Sequence, residues 1–342
     1  MDHSLHHLTH DNYTVACICA PGIELAPVQA MLDERHPSLP TSSDDQISYK
    51  FGRMGAHNVV IAVMPETGKN KAATVVTQLL NDFGSTRFGL LVGIGSGIPG
   101  GEDDIRLGDV VVSKPTETSG GVVQFDGGNI HSNGQFERTG TLGKPPPALQ
   151  EIVESLEVKQ KSTGNQISKY LTEMLEKFPN MGDEGYIYPV MEDEAACSHE
   201  GGNTCRLRDH SKIIERAPPK IHYGTIGSSN VAIEDGITRK RLKEELGILC
   251  VEMEAAGLMD EFPCLVIRGI CDFADSHKCK SWQPYAAATA AAYAKELLSV
   301  IPSEQIDKTT KAVDALRGTR TRSINYYLSS PLTDTVNLII WS

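Results

Sequence analysis

The sequence predicts an α/β fold: a single domain with a central mixed, largely parallel sheet flanked by helices. Two observations carry this. Apolar runs of strand length alternate with segments of helical periodicity, the pattern of strand–helix–strand units. The alternation is broken by a polar, proline-bearing excursion at about 139–219 and then resumes, so both flanks belong to one core.

Taken in order, Tyr13 to Ala20 reads as a buried strand. Glu24 to Glu34 reads as a helix with Leu25, Val28, Met31 and Leu32 on its apolar face. Ile47 to Arg53 and Asn58 to Met64 are paired strands joined by the turn Met54-Gly55-Ala56-His57. Lys71 to Phe83 is helical. Phe88 to Ile94 is a strand running into the glycine turn Gly93-Ile94-Gly95-Ser96-Gly97, and Asp109 to Ser113 is a short strand. The excursion holds Pro145-Pro146-Pro147, a helical segment near Ile167 to Lys177, and a polar loop with cysteine and histidine. Beyond it come a strand (Ile221 to Ile226), a helix (Ile237 to Leu246), a strand (Ile248 to Glu252), a helix (Ala255 to Glu261), a strand (Cys264 to Cys271) and an alanine-rich helix (Tyr285 to Val300). The expected organisation is a flexible tail at 1–11, a catalytic domain at 12–302, and a C-terminal extension at 303–342 ending in an apolar segment.

Composition narrows the function classes. Of 342 residues, 40% are hydrophobic and 22% charged, ordinary for a globular protein. The net charge of -12 argues against nucleic acid as a partner. No apolar run reaches the ~18 residues of a membrane helix, and the His-rich N-terminus lacks the apolar core of a secretory signal. Of eight cysteines, Cys17, Cys19, Cys250 and Cys264 lie in apolar runs and read as buried thiols. The expectation is a cytoplasmic (intracellular) protein without a disulfide framework.

Acidic residues stand at strand ends. Glu24 follows the first strand, Glu252 and Glu254 flank Met253 after another, and Asp272 and Asp275 follow a third. The glycine run supplies a fourth end, where bare backbone at Gly93, Ile94 and Gly95 can approach a ligand. Ligands in open α/β sheets collect at such carboxyl ends. Each residue also has a plainer role: an acidic residue opening a helix is often an N-cap, a glycine run is often a turn, and Met253 fits a core position. The joint placement of carboxylates at several ends points to a site.

The segments Val251-Glu252-Met253-Glu254-Ala255-Ala256 and Arg268-Gly269-Ile270-Cys271-Asp272-Phe273-Ala274-Asp275 resemble the purine nucleoside phosphorylase and nucleosidase family. The order of motifs is similar to the methylthioadenosine/S-adenosylhomocysteine nucleosidases. Cys271 to Leu298 also resembles the phosphorylase-like domains that begin many fungal NACHT or ankyrin proteins. The resemblance covers about Tyr13 to Val300, the excursion apart.

It implies a nucleoside phosphorylase-like fold and a small-molecule purine nucleoside as partner. It also implies a homo-oligomer, with no cofactor and no metal. By the same resemblance Asp272 is the general acid that protonates purine N7, and Glu24 activates the attacking water. Glu254 binds the ribose hydroxyls and Met253 packs on the sugar. Glu252, with Gly93, Ile94 and Gly95, lies at the substrate, and Ala232 and Ile233 belong to the stretch along the base. The implied activity is a purine ribonucleoside N-glycosidase that releases base and ribose. The alternatives are a phosphate-dependent phosphorylase and a non-catalytic nucleoside-sensing module.

Phosphorolysis needs a cationic cradle, and the family's phosphorylases carry an arginine before the glycine turn. Here Leu91-Val92-Gly93-Ile94 has none, and Pro21-Gly22-Ile23-Glu24 replaces their early arginine loop. Arg53 and Arg87 are the possible substitutes. Three departures from the nucleosidases stand out: Cys271 where they have serine, Ser96 late in the glycine turn, and Lys69 and Lys71 after Gly68. Cys197, His199, Cys205 and His210 are spaced too irregularly for a typical zinc site and read as a polar loop.

Overall fold

The computed structural model describes residues 8–40, 47–65, 68–130, 136–138, 140–189, 218–259, 261–262, 264–275 and 280–317. His3, His6 and His7, the loop with Cys197, His199, Cys205 and His210, and the apolar C-terminal segment lie outside these residues.

Strand β1 (Val15–Cys19) is buried along its whole length and pairs in parallel with β4 (His57–Val63) and β5 (Phe88–Gly97). β3 (Ser48–Met54) forms an antiparallel hairpin with β4, turned at Gly55, whose φ of 58° suits glycine. The short β2 (Glu34–Arg35) edges that wing. On the other side of β5 lie β12 (Cys264–Asp272), β6 (Val110–Ser113), β10 (Ile221–Ser228) and β11 (Ile248–Glu252). β11 also pairs antiparallel with the far end of β5, Cys250 opposite Gly97 and Val251 opposite Ser96. Five strands therefore close on themselves, and β7 (Val122–Gln124) pairs with β10 beside them. The sheet is mixed and largely parallel, as expected. A separate hairpin joins β8 (Gly128–Ile130) and β9 (Phe136–Arg138).

The helices are α1 (Leu25–Ala30), α2 (Lys69–Asp82), α3 (Pro147–Thr163), α4 (Ile167–Lys177), α5 (Asn180–Asp183), α6 (Gly236–Leu246), α7 (Ala255–Leu258), α8 (Gln283–Val300) and α9 (Ser303–Lys308). α8 is buried over nearly all its length. Its alanines allow close approach to β12, where a Cβ on Gly269 would collide with the Ala286 carbonyl.

Several boundaries differ from the sequence reading. α1 stops at Ala30 rather than Glu34, because the Asp33 carboxylate accepts from Gly55 N and Lys295, and Glu34–Arg35 pairs with β3. α7 ends at Leu258, short of Glu261. α3 was not anticipated. Proline at its first turn is compatible with a helix start, and Leu149, Ile152, Val153 and Leu156 bury one face in the main core. Among the described residues, the excursion thus adds helices to the main core. Residue 10 belongs to a turn at His10–Asn12, with its ring 5.0 Å from Phe83. Ala312, in the C-terminal extension, is buried and donates to the Thr86 carbonyl.

Candidate active site

The expected glycine turn is strand. β5 runs through Gly93, Gly95 and Gly97, which leave one face bare. A Cβ on Gly93 would collide with the Arg268 guanidinium and the Glu24 carboxylate. The glycines therefore let charged side chains lie directly against the backbone.

Glu24 stands at the N-cap of α1 but makes no capping bond. Its carboxylate accepts from Ala20 N at 2.8 Å and from Ile94 N at 2.9 Å, tying the end of β1 to the glycine stretch of β5. The plainer reading of Glu24 as a cap does not describe this geometry.

Glu252 is the residue that caps α7. Its Oε2 accepts from Glu254 N (3.0 Å) and Ala255 N (2.9 Å), and Ser228 Oγ accepts from Ala256 N at 2.9 Å. The same Oε2 accepts from Arg268 Nη2 at 2.5 Å. Its hydrogen bonds are thus to protein groups. Glu254 accepts from Arg268 Nη2 at 3.1 Å, while Arg268 Nη1 lies 3.9 Å from Glu24.

In the sequence Arg268 stands only as part of a motif, yet it is the electrostatic centre of this region. It is 1% exposed and faces three glutamates. Burial alone would lower its pKa, but Glu252, Glu254 and Glu24 outweigh this and raise it above the ordinary value. The sequence did hold a signal: an arginine inside a nine-residue apolar strand must be paired. With one cation for three carboxylates, Glu254 is under-neutralised. Burial, Glu252 and Glu24 push its pKa up to about 7 against the opposing pull of Arg268.

Asp272 ends β12. Register with β5 shifts between Ile270 and Asp272, a bulge that re-aims side chains. As a result both Cys271 and Asp272 line the same cavity, which strict alternation along a strand would forbid. Asp272 Oδ1 accepts from Ala274 N at 3.0 Å, a turn-type bond rather than a helix cap. The Cys271 thiol lies 3.5 Å from Asp272 Oδ2 and 3.6 Å from the Gly95 carbonyl. Burial and the Asp272 charge raise its pKa well above normal, so it stays protonated and can donate.

These ends meet at a cavity of about 350 Å³. Its walls include Glu24, Ile94, Gly95, Glu252, Met253, Glu254 and Asp272, with Val231, Ala232 and Ile233 on one side. Gly93 lies behind Arg268 and Glu24 rather than on the wall. No lysine, arginine or histidine lines the cavity among the described residues. Arg53 instead pairs with Glu34 and the Gly55 carbonyl, and Arg87 donates to the Thr309 carbonyl. No group of three or more candidate metal ligands occurs among the described residues. No helix among them is long and apolar enough to cross a membrane.

Comparison with known proteins places this geometry in context. A family model described as the phosphorylase superfamily matches residues 14–300. Over 307 residues the chain is 43% identical to a nucleotide-binding leucine-rich repeat (NLR)-like protein of Hyaloscypha variabilis. That match takes in 87% of this chain, which spans 30% of the relative's length. The chain is 28% identical over 297 residues to a 5'-methylthioadenosine/S-adenosylhomocysteine nucleosidase of Mycobacterium bovis, covering 84% of this chain and 97% of that protein. Among solved structures, the corresponding nucleosidase of Helicobacter pylori gives a TM-score of 0.56 at 15% identity, over 85% of this chain and 99% of that one. Futalosine hydrolase of the same organism gives 0.54 at 16%, over 86% and 100%. These two likenesses concern the fold.

Proposed function

The chain belongs to the phosphorylase superfamily, and from that premise we propose that it is a purine ribonucleoside N-glycosidase releasing free base and ribose. The observation that carries this reading is the gathering of Asp272, Glu24, Glu254 and Met253 around one cavity. Asp272 gives a proton to purine N7 as the bond from N9 to the anomeric carbon breaks, and the bonding pair leaves with the base. The sugar becomes oxocarbenium-like. Water adds to the anomeric carbon and Glu24 takes its proton. Glu254 accepts hydrogen bonds from the ribose hydroxyls, and Met253 packs on the sugar. Val231, Ala232 and Ile233 flank the base.

Water is favoured over phosphate as nucleophile by charge. A phosphate dianion would enter a cavity walled by four carboxylates, with the nearby Arg268 already engaged by three of them. The relationship to a nucleosidase over 97% of that enzyme's length supports the same choice.

The test is a panel of purine nucleosides with and without phosphate, following base and ribose by chromatography. Hydrolysis without phosphate is expected. Glu24→Ala should lower kcat by about 100-fold or more, within the range of a lost general base. Asp272→Asn should bind nucleoside and lose turnover. Activity that requires phosphate and survives Glu24→Ala would replace this reading with phosphorolysis.

One observation favours a second reading, a nucleoside-sensing module: the NLR-like relative carries a matching segment within a much longer protein. Nucleoside binding by the purified chain with no release of base would establish that alternative.

A further inference from the structure

Asp272 is held by an unusual backbone. Ala274, whose N–H reaches Asp272 Oδ1, has φ of 51° and is the one non-glycine with positive φ among the described residues. For an L-residue this is a strained conformation. Such a conformation persists only where its surroundings over-determine it.

α6 supplies part of those surroundings. Arg239 Nη1 donates to the Phe273 carbonyl at 2.7 Å and lies 3.3 Å from Asp275 Oδ2. It thus grips the residue on each side of Ala274. Ala274 itself is fully buried in a small apolar cluster with Ile98, Ile248, Val251 and Leu242, against which Leu246 and Ile233 pack. Arg239, Leu242 and Leu246 recur at i, i+3 and i+7, one face of the helix. α6 also begins directly after the cavity wall at Val231–Ile233, where Asp235 caps it by accepting from Ile237 N (3.0 Å) and Thr238 N (2.9 Å).

We propose that Arg239 is a positioning residue for the acid, resting on the reading of Asp272 given above. By fixing the Phe273 carbonyl and Asp275, it keeps the Ala274 N–H on Asp272 Oδ1 and leaves Oδ2, which the Cys271 thiol faces, as the oxygen for proton delivery. Because the wall beside the base runs straight into the same helix, α6 joins recognition of the base to placement of the acid.

Two analogue pairs test this in the whole chain. Formycin A is a C-nucleoside carrying N–H at position 7, a donor to the Asp272 carboxylate; 7-deazaadenosine carries C–H there. Formycin B and 7-deazainosine are the hypoxanthine pair. Arg239→Met should weaken binding of the formycin by about tenfold, the scale of one charge-assisted hydrogen bond. It should leave the deaza analogue within about twofold, and it should lower kcat at least tenfold with KM within about threefold. Arg239→Lys keeps the charge without the planar fork and should fall between. Should Arg239→Met fail to fold, the Lys variant carries the same comparison. Asp272→Asn is the control and should abolish the preference for the formycin.

Equal weakening of both analogues by Arg239→Met would mean a merely structural role and overturn the proposal. So would parent-like binding and turnover, provided Asp272→Asn still loses the preference. If Asp272→Asn keeps the preference, or the parent binds neither formycin, the assignment of the acid or of the purine itself fails.

Discussion

The buried cluster of one cation and three carboxylates holds both Arg268 and Glu254 above their ordinary pKa values. Removing Arg268 would leave Glu252, Glu254 and Glu24 facing one another without compensation. Arg268→Met should destabilise the protein by about 3–5 kcal/mol, the cost of breaking a buried ion pair from one side, read by urea titration. Glu254 offers a second measurement. With its pKa at about 7 it is partly protonated near neutrality. On the proposed ribose contact, hydroxyls donating to it would favour the charged form, so nucleoside binding should release protons. Calorimetry near pH 7 in buffers of different ionisation enthalpy should show that release, and Glu254→Gln should remove it. Binding heats that do not vary with buffer would sink the idea. The carboxylates could be read from the sequence because each follows an apolar run that ends in a loop. Arg268 and Arg239 could not be ranked that way. One hides within a strand, and the other lies on a largely polar helix whose partner is 34 residues further along.

The secondary-structure elements show where local pattern yields to tertiary contact. The strand and helix types followed from alternation and periodicity, and their ends moved where side chains from distant segments intervened. Asp33, held by Lys295 of α8 and by Gly55 N, ends α1 early although apolar periodicity continues to Leu32. β5 runs on through its glycines because β12 pairs with Gly93 to Ser96 and β11 with Ser96 and Gly97, all partners more than 150 residues away. Helix–strand packing provides the test at this scale. A methyl group on Gly269 has no space against the Ala286 carbonyl. Gly269→Ala should therefore destabilise by about 1–3 kcal/mol, as overpacking does, and lower the melting temperature by several degrees. An unchanged melting curve would show that α8 can give way.

At the scale of the whole molecule, the elevated Glu254 pKa becomes a dependence of stability on pH. Between about pH 4.5, the ordinary glutamate value, and about 7, the folded protein keeps a proton that the unfolded chain has released. Glu254 therefore contributes less to stability as pH rises through that window. Replacing it by glutamine should shift relative stability in favour of the variant over the same interval, measured by denaturant titration at each pH. A difference that is flat from pH 4.5 to 7 would contradict the raised value. The single domain, the mixed sheet and the convergence of strand ends were all legible from alternation and from carboxylates at strand ends. The closure of five strands was not, since it depends on a two-residue antiparallel contact that no local pattern marks.

The bare glycine face of β5 also divides the pocket into parts with different freedom to evolve. Behind its wall the Gly93 backbone is pressed against Arg268 and Glu24, so a side chain introduced there would displace both. The wall at Val231, Ala232 and Ile233 lies outside the sheet, and Val231 is largely solvent-exposed. New substrate preference should therefore arise from that wall. In a library randomised at 231–233, variants that change which base is accepted should stay folded, while substitutions at Gly93 should mostly cost the fold.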